Sequence, residues 1–171
     1  MAEFWDIYDK NRQKTGRIQE RGKPMDPDDY HLVVEIWLQN TKGEVLLTRR
    51  HPDKHYGGLW ECTGGSAVAG EESLTAAMRE MREEIGVDLT DGEPGKHLAS
   101  FTIRRDAPGH YSAHYDVYLF RRDIPLESLH LQAEEVTDAQ WVDEATFQKM
   151  QQNGELIPCK LNPFQWGKFK E

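Results

Sequence analysis

Apolar positions along the chain fall into blocks of two different periods. The run HLVVEIWL at residues 31–38 is almost wholly apolar and rich in β-branched and aromatic residues, which predicts a buried central strand. A turn at residues 40–43 leads to a second strand at 45–50, so the two read as a hairpin. Upstream, residues 4–8 alternate, a polar turn containing Gly16 follows, and a return strand near residues 17–19 completes a hairpin placed to cap the sheet. Residues 21–29, with two prolines and many charges, read as loop. Short strands are expected at 59–63 and 140–142, longer ones at 97–105 and 113–122, and a helix at 144–151 with Ala145, Phe147 and Met150 among its apolar residues. Between residues 71 and 85 the period changes. Leu74, Met78, Met81 and Ile85 are spaced four, three and four apart, one stripe of a helix, and Gly86 can take the left-handed conformation that closes it. Gly64, Gly65 and Gly70 make the approach to this helix a glycine-rich loop.

At 171 residues the chain is sized for one domain with a real core: a hairpin and loop over 1–29, a core over 30–150 and a tail over 151–171. A net charge of −9 argues against nonspecific binding to nucleic-acid polymers or anionic membranes, while a small anionic substrate stays compatible if a cation offsets the charge. The N-terminus lacks a basic start and an apolar segment, and no apolar run approaches the roughly 18 residues of a membrane span, so the reading is cytoplasmic. Cys62 and Cys159 do not make a disulfide framework and are expected as reduced thiols.

The chemistry concentrates on a second face of the 71–85 helix. Glu80, Glu83 and Glu84 are three and four residues apart, which gathers their carboxylates within metal-bridging reach of one another. Such a cluster on its own is ordinarily a solvated acidic face. Glu71, Arg79 and upstream glycines whose carbonyls could also coordinate change that balance, and an all-oxygen set suits Mg²⁺ or Mn²⁺ rather than zinc.

Residues 65–87 match the Nudix box G-x5-E-x7-R-E-U-x-E-E-x-G-U, with U a bulky aliphatic residue, at every fixed position: Gly65, Glu71, Arg79, Glu80, Met81, Glu83, Glu84, Gly86 and Val87. The chain therefore resembles the Nudix hydrolase superfamily. The resemblance implies an α/β Nudix fold, an α/β/α sandwich around a mixed β-sheet carrying here an N-terminal β-hairpin extension. It also implies hydrolysis of a phosphoanhydride in a nucleoside diphosphate linked to another group, or a related organic pyrophosphate, with Mg²⁺ or Mn²⁺. By position it assigns Glu83, Glu84 and the Gly64 carbonyl as metal ligands, Glu80 as ligand or general base, and Glu71 with Arg79 as a structural salt bridge. Glu134 or Glu135 would supply a further acid from a later loop.

Two alternatives stand beside the hydrolase. Asp6, Tyr8, Asp9, Asn11, Thr15 and Gly16 give an opening similar to the isopentenyl-diphosphate isomerase branch. That branch keeps a cysteine before the box glycine and a histidine after it, where this chain has Gly64 and Ser66, with Cys62 two residues too early. The other alternative is a noncatalytic Nudix-like ligand-binding protein, for which a degraded box would be expected. Arg49, Arg50 and Arg104 are the candidate contacts for a small diphosphate substrate. The loops at 51–58 and 106–112 and the tail aromatics Phe164, Trp166 and Phe169 are the candidate specificity elements. The N-terminal hairpin and that tail are the surfaces offered to a homodimer.

Overall fold

The structure, a computed structural model, describes residues 2–106, 110–159 and 161–165. Its elements are β1 (Phe4–Tyr8), β2 (Lys14–Glu20), β3 (Tyr30–Gln39), β4 (Val45–Arg50), β5 (Trp60–Glu61), β6 (Thr63–Ser66), α1 (Ser73–Ile85), β7 (Lys96–Ile103), β8 (Ser112–Arg121), β9 (Val136–Val142) and α2 (Glu144–Gln152). The nine strands form one mixed sheet. Among the described residues, no helix is long and apolar enough to cross a membrane.

β3 organises the sheet. It pairs in parallel with β8 from Tyr30↔Ser112 to Gln39↔Arg121 and antiparallel with β6 from Val33↔Ser66 to Ile36↔Thr63. A strand flanked on both edges and covered on both faces must be apolar at nearly every position, which its sequence supplies. Side chains of alternate residues point to opposite faces. Leu32, Val34, Ile36 and Leu38 join a core with Ala76, Ala77, Met81 and Ile85 of α1. Trp37 instead joins Val45, Leu47, Val117 and Phe147, beneath α2. Helices thus cover both faces of a mixed sheet, the layering expected from the sequence.

β3 and β4 do not make the extended hairpin expected. They meet only at Gln39↔Val45, after which β4 turns away to pair with β9 and β5. The divergence leaves a space between the strands, because each has a better partner elsewhere. β9 begins at Val136, four residues before the strand expected at 140–142, because β4 offers six partners from Val45 to Arg50.

The N-terminal hairpin turns earlier than its composition suggests. The Asp9 carboxylate accepts the N–H groups of Asn11 at 2.8 Å and Gln13 at 3.0 Å, closing the turn there, and Gly16 lies inside β2 with φ +81°. Arg12, held at φ +62°, donates to the Asp116 carboxylate on β8 and fastens the hairpin tip to the sheet.

α1 starts two residues later than expected, after Glu72, and Gly86 closes it at φ +74° with its N–H on the Arg82 carbonyl. The apolar stripe also shifts. Leu74 is 39% exposed, whereas Ala77, Met81 and Ile85 are fully buried. Two small alanines, not the bulky Leu74, mark the face where the helix sits closest to the sheet. In α2, Phe147 and Met150 are buried and Ala145 is exposed.

These burials separate two substitutions of similar size. Met81→Ala should cost about 2–5 kcal/mol, as truncation of a fully buried side chain does. Leu74→Ala should cost under about 1 kcal/mol. Urea unfolding of both variants measures the difference, and equal losses would contradict the position of α1.

Candidate active site

Gly64 and Gly65 lie in strand β6, not in a loop, and each admits a neighbour that a side chain would exclude. A Cβ on Gly64 would strike the carbonyl oxygen of Val34, and one on Gly65 would strike the carboxylate of Glu80. The glycine pair thus brings β6 hard against β3 and lets Glu80 of α1 rest on the β6 backbone. Gly70, at φ +84°, turns the chain from β6 into the helix.

Arg79 ties this junction together. Its Nε donates to Glu71 Oε1 at 2.9 Å, and one terminal nitrogen donates to Glu71 Oε2 and the Ser66 carbonyl, each at 3.0 Å. The other terminal nitrogen donates to Glu80 at 2.9 Å and Glu83 at 3.0 Å. Glu71 returns a contact by accepting the Val68 N–H at 3.1 Å. The paired Glu71, with Glu80 and Glu83 beside it, holds the Arg79 guanidinium pKa well above its ordinary value.

These groups form one wall of a cavity of about 760 Å³, opening where β3 and β4 part. Glu80, Glu83 and Glu84 line it, as do Gly64, Gly65, Arg50 and Glu135. Glu134 is exposed and outside the lining, while Glu135 faces in with its carboxylate on Lys54 Nζ. Arg50 donates to the His55 carbonyl at 2.7 Å and to Glu61 at 2.8 Å. Arg49 lies outside the lining, bonded to the Gly58 carbonyl at 3.0 Å with its guanidinium over the Trp60 ring. Arg104 points away, held by Asp28 and Asp106, each at 2.9 Å, and its neighbour Arg105 lines the cavity instead. Trp60 lines the cavity as well as packing on the α2 core. Phe164 packs edge-on against Phe147 at 5.5 Å, whereas Trp166 and Phe169, like residues 107–109 of the 106–112 loop, lie outside the described residues.

Three further lining carboxylates escaped sequence reasoning, one of them Glu3 just ahead of β1. Glu61 in β5 precedes the box, and Glu35 sits in the middle of β3 opposite Gly64. Glu35 carried a signal, a lone acid within an apolar strand whose odd positions Val33 and Trp37 share its face; such a residue either spoils the core or serves a site. Glu61 carried none, because a two-residue strand has no readable period.

Seven carboxylates, Glu3, Glu35, Glu61, Glu80, Glu83, Glu84 and Glu135, line the cavity with Arg21, Arg50, Arg79 and Arg105 among them. Burial, then the negative charge of Glu80, Glu61 and Glu135, pushes the Glu84 carboxyl up to about 9. Burial, then Glu61, pushes Glu35 up to about 7, and burial raises Glu80 and Glu61 against the opposing pull of Arg79 and Arg50. The donor set is all oxygen and carries excess negative charge, which fits a hard divalent cation. Among the described residues no three of these groups already converge on a single point; the Arg79 guanidinium stands between Glu80 and Glu83.

A mixed sheet between helices, with a strand–glycine–helix junction feeding carboxylates into a cavity, defines a class that comparison with known proteins makes specific. The NUDIX domain family matches residues 29–159. A Nudix hydrolase of Listeria monocytogenes is 35% identical over 161 residues, 91% of this chain and 89% of that protein. An isopentenyl-diphosphate Delta-isomerase of Escherichia coli is 32% identical over 133 residues, 77% of this chain and 71% of that protein. Among solved structures, a Deinococcus radiodurans protein shares the fold at TM-score 0.73 and 22% identity, covering 92% of this chain and 93% of its own. The NUDIX domain of a Shewanella oneidensis protein, crystallised with ADP ribose, shares it at TM-score 0.56 and 18% identity, covering 70% of this chain and 77% of its own. The chain belongs to the Nudix family and is a Nudix hydrolase.

The raised carboxyls set a pH dependence. A carboxyl whose folded pKa lies above its unfolded value holds its proton in the folded state, so its stabilising contribution is complete below the unfolded value of 4.5 and is lost as pH rises towards about 9 for Glu84. With chelator present, the melting temperature should fall between about pH 5 and pH 9, and Glu84→Gln should make that fall shallower. A thermal melt series of both proteins reads the difference; identical slopes would place Glu84 outside the buried cluster.

Proposed function

We propose that this protein is a divalent-cation-dependent hydrolase of a phosphoanhydride bond in a small organic diphosphate. The observation that carries the reading is that the box carboxylates line one cavity together with Glu61 and Glu135. Glu83, Glu84, Glu80 and the Gly64 carbonyl would hold Mg²⁺ or Mn²⁺, which when bound neutralises phosphate charge and lowers the pKa of water.

The protein's own groups do the rest. Glu71 fixes Arg79, and Arg79 fixes Glu80 and Glu83, so the carboxylates are oriented before substrate enters. Arg50, anchored by the His55 carbonyl and Glu61, is the cavity-lining guanidinium best placed to meet a phosphate. Glu135, paired with Lys54 at the rim, accepts the proton of the attacking water, the part for which Glu134 is too far out.

The isomerase-like reading keeps one supporting observation, since Cys62 lines the same cavity. Its thiol is raised well above its ordinary value by burial, which keeps it protonated.

Glu83→Gln and Glu84→Gln should each lower phosphate release by about 10²-fold or more, the loss typical of removing one preorganised charge-stabilising group. A discontinuous phosphate assay with Mg²⁺ over nucleotide-sugars, dinucleotides, nucleoside triphosphates and alkyl diphosphates measures it. Undiminished turnover in Glu83→Gln would remove the metal assignment, and isomerised product without phosphate release would replace the hydrolase by the isomerase.

A further inference from the structure

The segment that joins β6 to α1 is held largely from outside itself. Every backbone N–H from Ala67 to Glu71 has an acceptor. Ala67 donates to the Leu32 carbonyl of β3 at 2.9 Å, Val68 to Glu71 Oε2 at 3.1 Å, and Glu71 back to the Val68 carbonyl at 3.0 Å. The two N–H groups between them go to the N-terminal hairpin. Ala69 donates to the Phe4 carbonyl and Gly70 to a carboxylate oxygen of Asp6, each at 2.8 Å. Lys14 of β2 pairs with that same oxygen at 3.0 Å. Burial would raise the Asp6 carboxyl, yet the Gly70 N–H and Lys14 hold it below its ordinary value, so the bond to Gly70 is charge-assisted.

The helix does not secure its own start. Glu72, at the N-cap of α1, makes no side-chain bond to the helix, where serine, threonine, aspartate or asparagine would ordinarily close the end. The chain turns into the helix at Gly70, φ +84°, the residue that Asp6 holds. Asp6 is itself fixed, because its neighbours Trp5 and Ile7 are buried and the Trp5 ring stacks on His31 of β3 at 4.2 Å.

From Gly70 the contacts run into the site. Glu71 comes next in the chain, its two oxygens accept from Arg79, and Arg79 donates to Glu80 and Glu83. A Gly70 released from Asp6 would carry Glu71 with it and, through Arg79, displace two of the box carboxylates. We propose, resting on the reading above in which those carboxylates hold the cation, that Asp6 is a positioning residue of the hydrolase: its bond to the Gly70 N–H sets the box segment so that Glu80 and Glu83 stand ready for the metal. Asp6 acts from the hairpin, at a distance from the reacting atoms, and is not among the residues lining the cavity.

The test is Mn²⁺ affinity, read by electron paramagnetic resonance without substrate. Asp6→Ala should weaken Mn²⁺ binding by about 10- to 100-fold, the loss that follows removal of a group supporting metal ligands. On the best substrate of the phosphate assay its kcat should fall by about tenfold or more while KM moves less than about twofold. Asp6→Asn, which keeps a carbonyl oxygen for the Gly70 N–H but gives up the charge, should recover most of both losses. Should Asp6→Ala not fold, Asp6→Ser, whose hydroxyl falls one bond short of Gly70, takes its place with the same expectations. Variants that melt lower but keep the Mn²⁺ affinity and kcat of the unaltered protein overturn the inference and leave the hydrolase reading intact, as does an Asp6→Asn as impaired as Asp6→Ala. Weakened Mn²⁺ binding in Asp6→Ala, with no phosphate released from any substrate by the unaltered protein, supports the positioning role and overturns the hydrolase reading. An unaltered protein that binds no Mn²⁺ overturns both.

Discussion

Everything in the site depends on holding like charges together out of bulk water. Glu71, Glu80 and Glu83 would repel one another, and one guanidinium, Arg79, bridges all three, one terminal nitrogen serving both Glu80 and Glu83 while the other two nitrogens hold Glu71 and the Ser66 carbonyl. Only arginine has a rigid fork with enough donors to do this; a lysine ammonium would meet one partner well and the others poorly. Because Glu71 precedes α1 and Ser66 ends β6, the same contacts that offset charge also fix the helix to the sheet. Charge balance and fold are therefore one constraint, and Glu84, which Arg79 does not reach, is where the imbalance shows.

The sheet gives that junction its frame. β3 presents its even-numbered residues to α1 and its odd-numbered ones to the space under α2, so one strand supplies the floor of the core and the wall of the cavity. Its early parting from β4 opens the space, and the two glycines of β6 bring backbone close enough for Glu80 to lie against it. A Cβ at either position would push the helix or the strand outward and separate the groups that Arg79 joins.

How far the sequence disclosed this varies with the physics involved. Strands β3, β4, β7 and β8 and both helices were legible because each is long enough to show a period. The box was legible because its spacing is rigid. What stayed hidden depended on contacts between distant segments. The burial of Ala77 in preference to Leu74 follows from how closely α1 approaches the sheet, which no stripe of bulky residues reveals. The strand character of Gly64 and Gly65 comes from pairing with β3 rather than from any propensity of glycine. The choice of Arg105 over Arg104, and of Glu135 over Glu134, turns on which of two adjacent residues faces inward, and irregular segments carry no period from which to read that.

Glu35 is the case in which sequence and structure inform one another most. A carboxylate in the centre of a covered strand is costly, and replacing it with valine or isoleucine would improve the strand as a strand. Among the described residues it is not paired with an arginine, as Glu61 is with Arg50, and its carboxyl is raised by burial and by Glu61. A group that weakens the fold without offsetting contacts is best explained by what occupies the space it faces. Glu35 lines the cavity beside Glu61 and is registered with Gly64 across the β3–β6 pairing. With its carboxyl raised to about 7, Glu35 is only partly ionised at neutral pH, so it adds less negative charge to the cavity than an ordinary glutamate would.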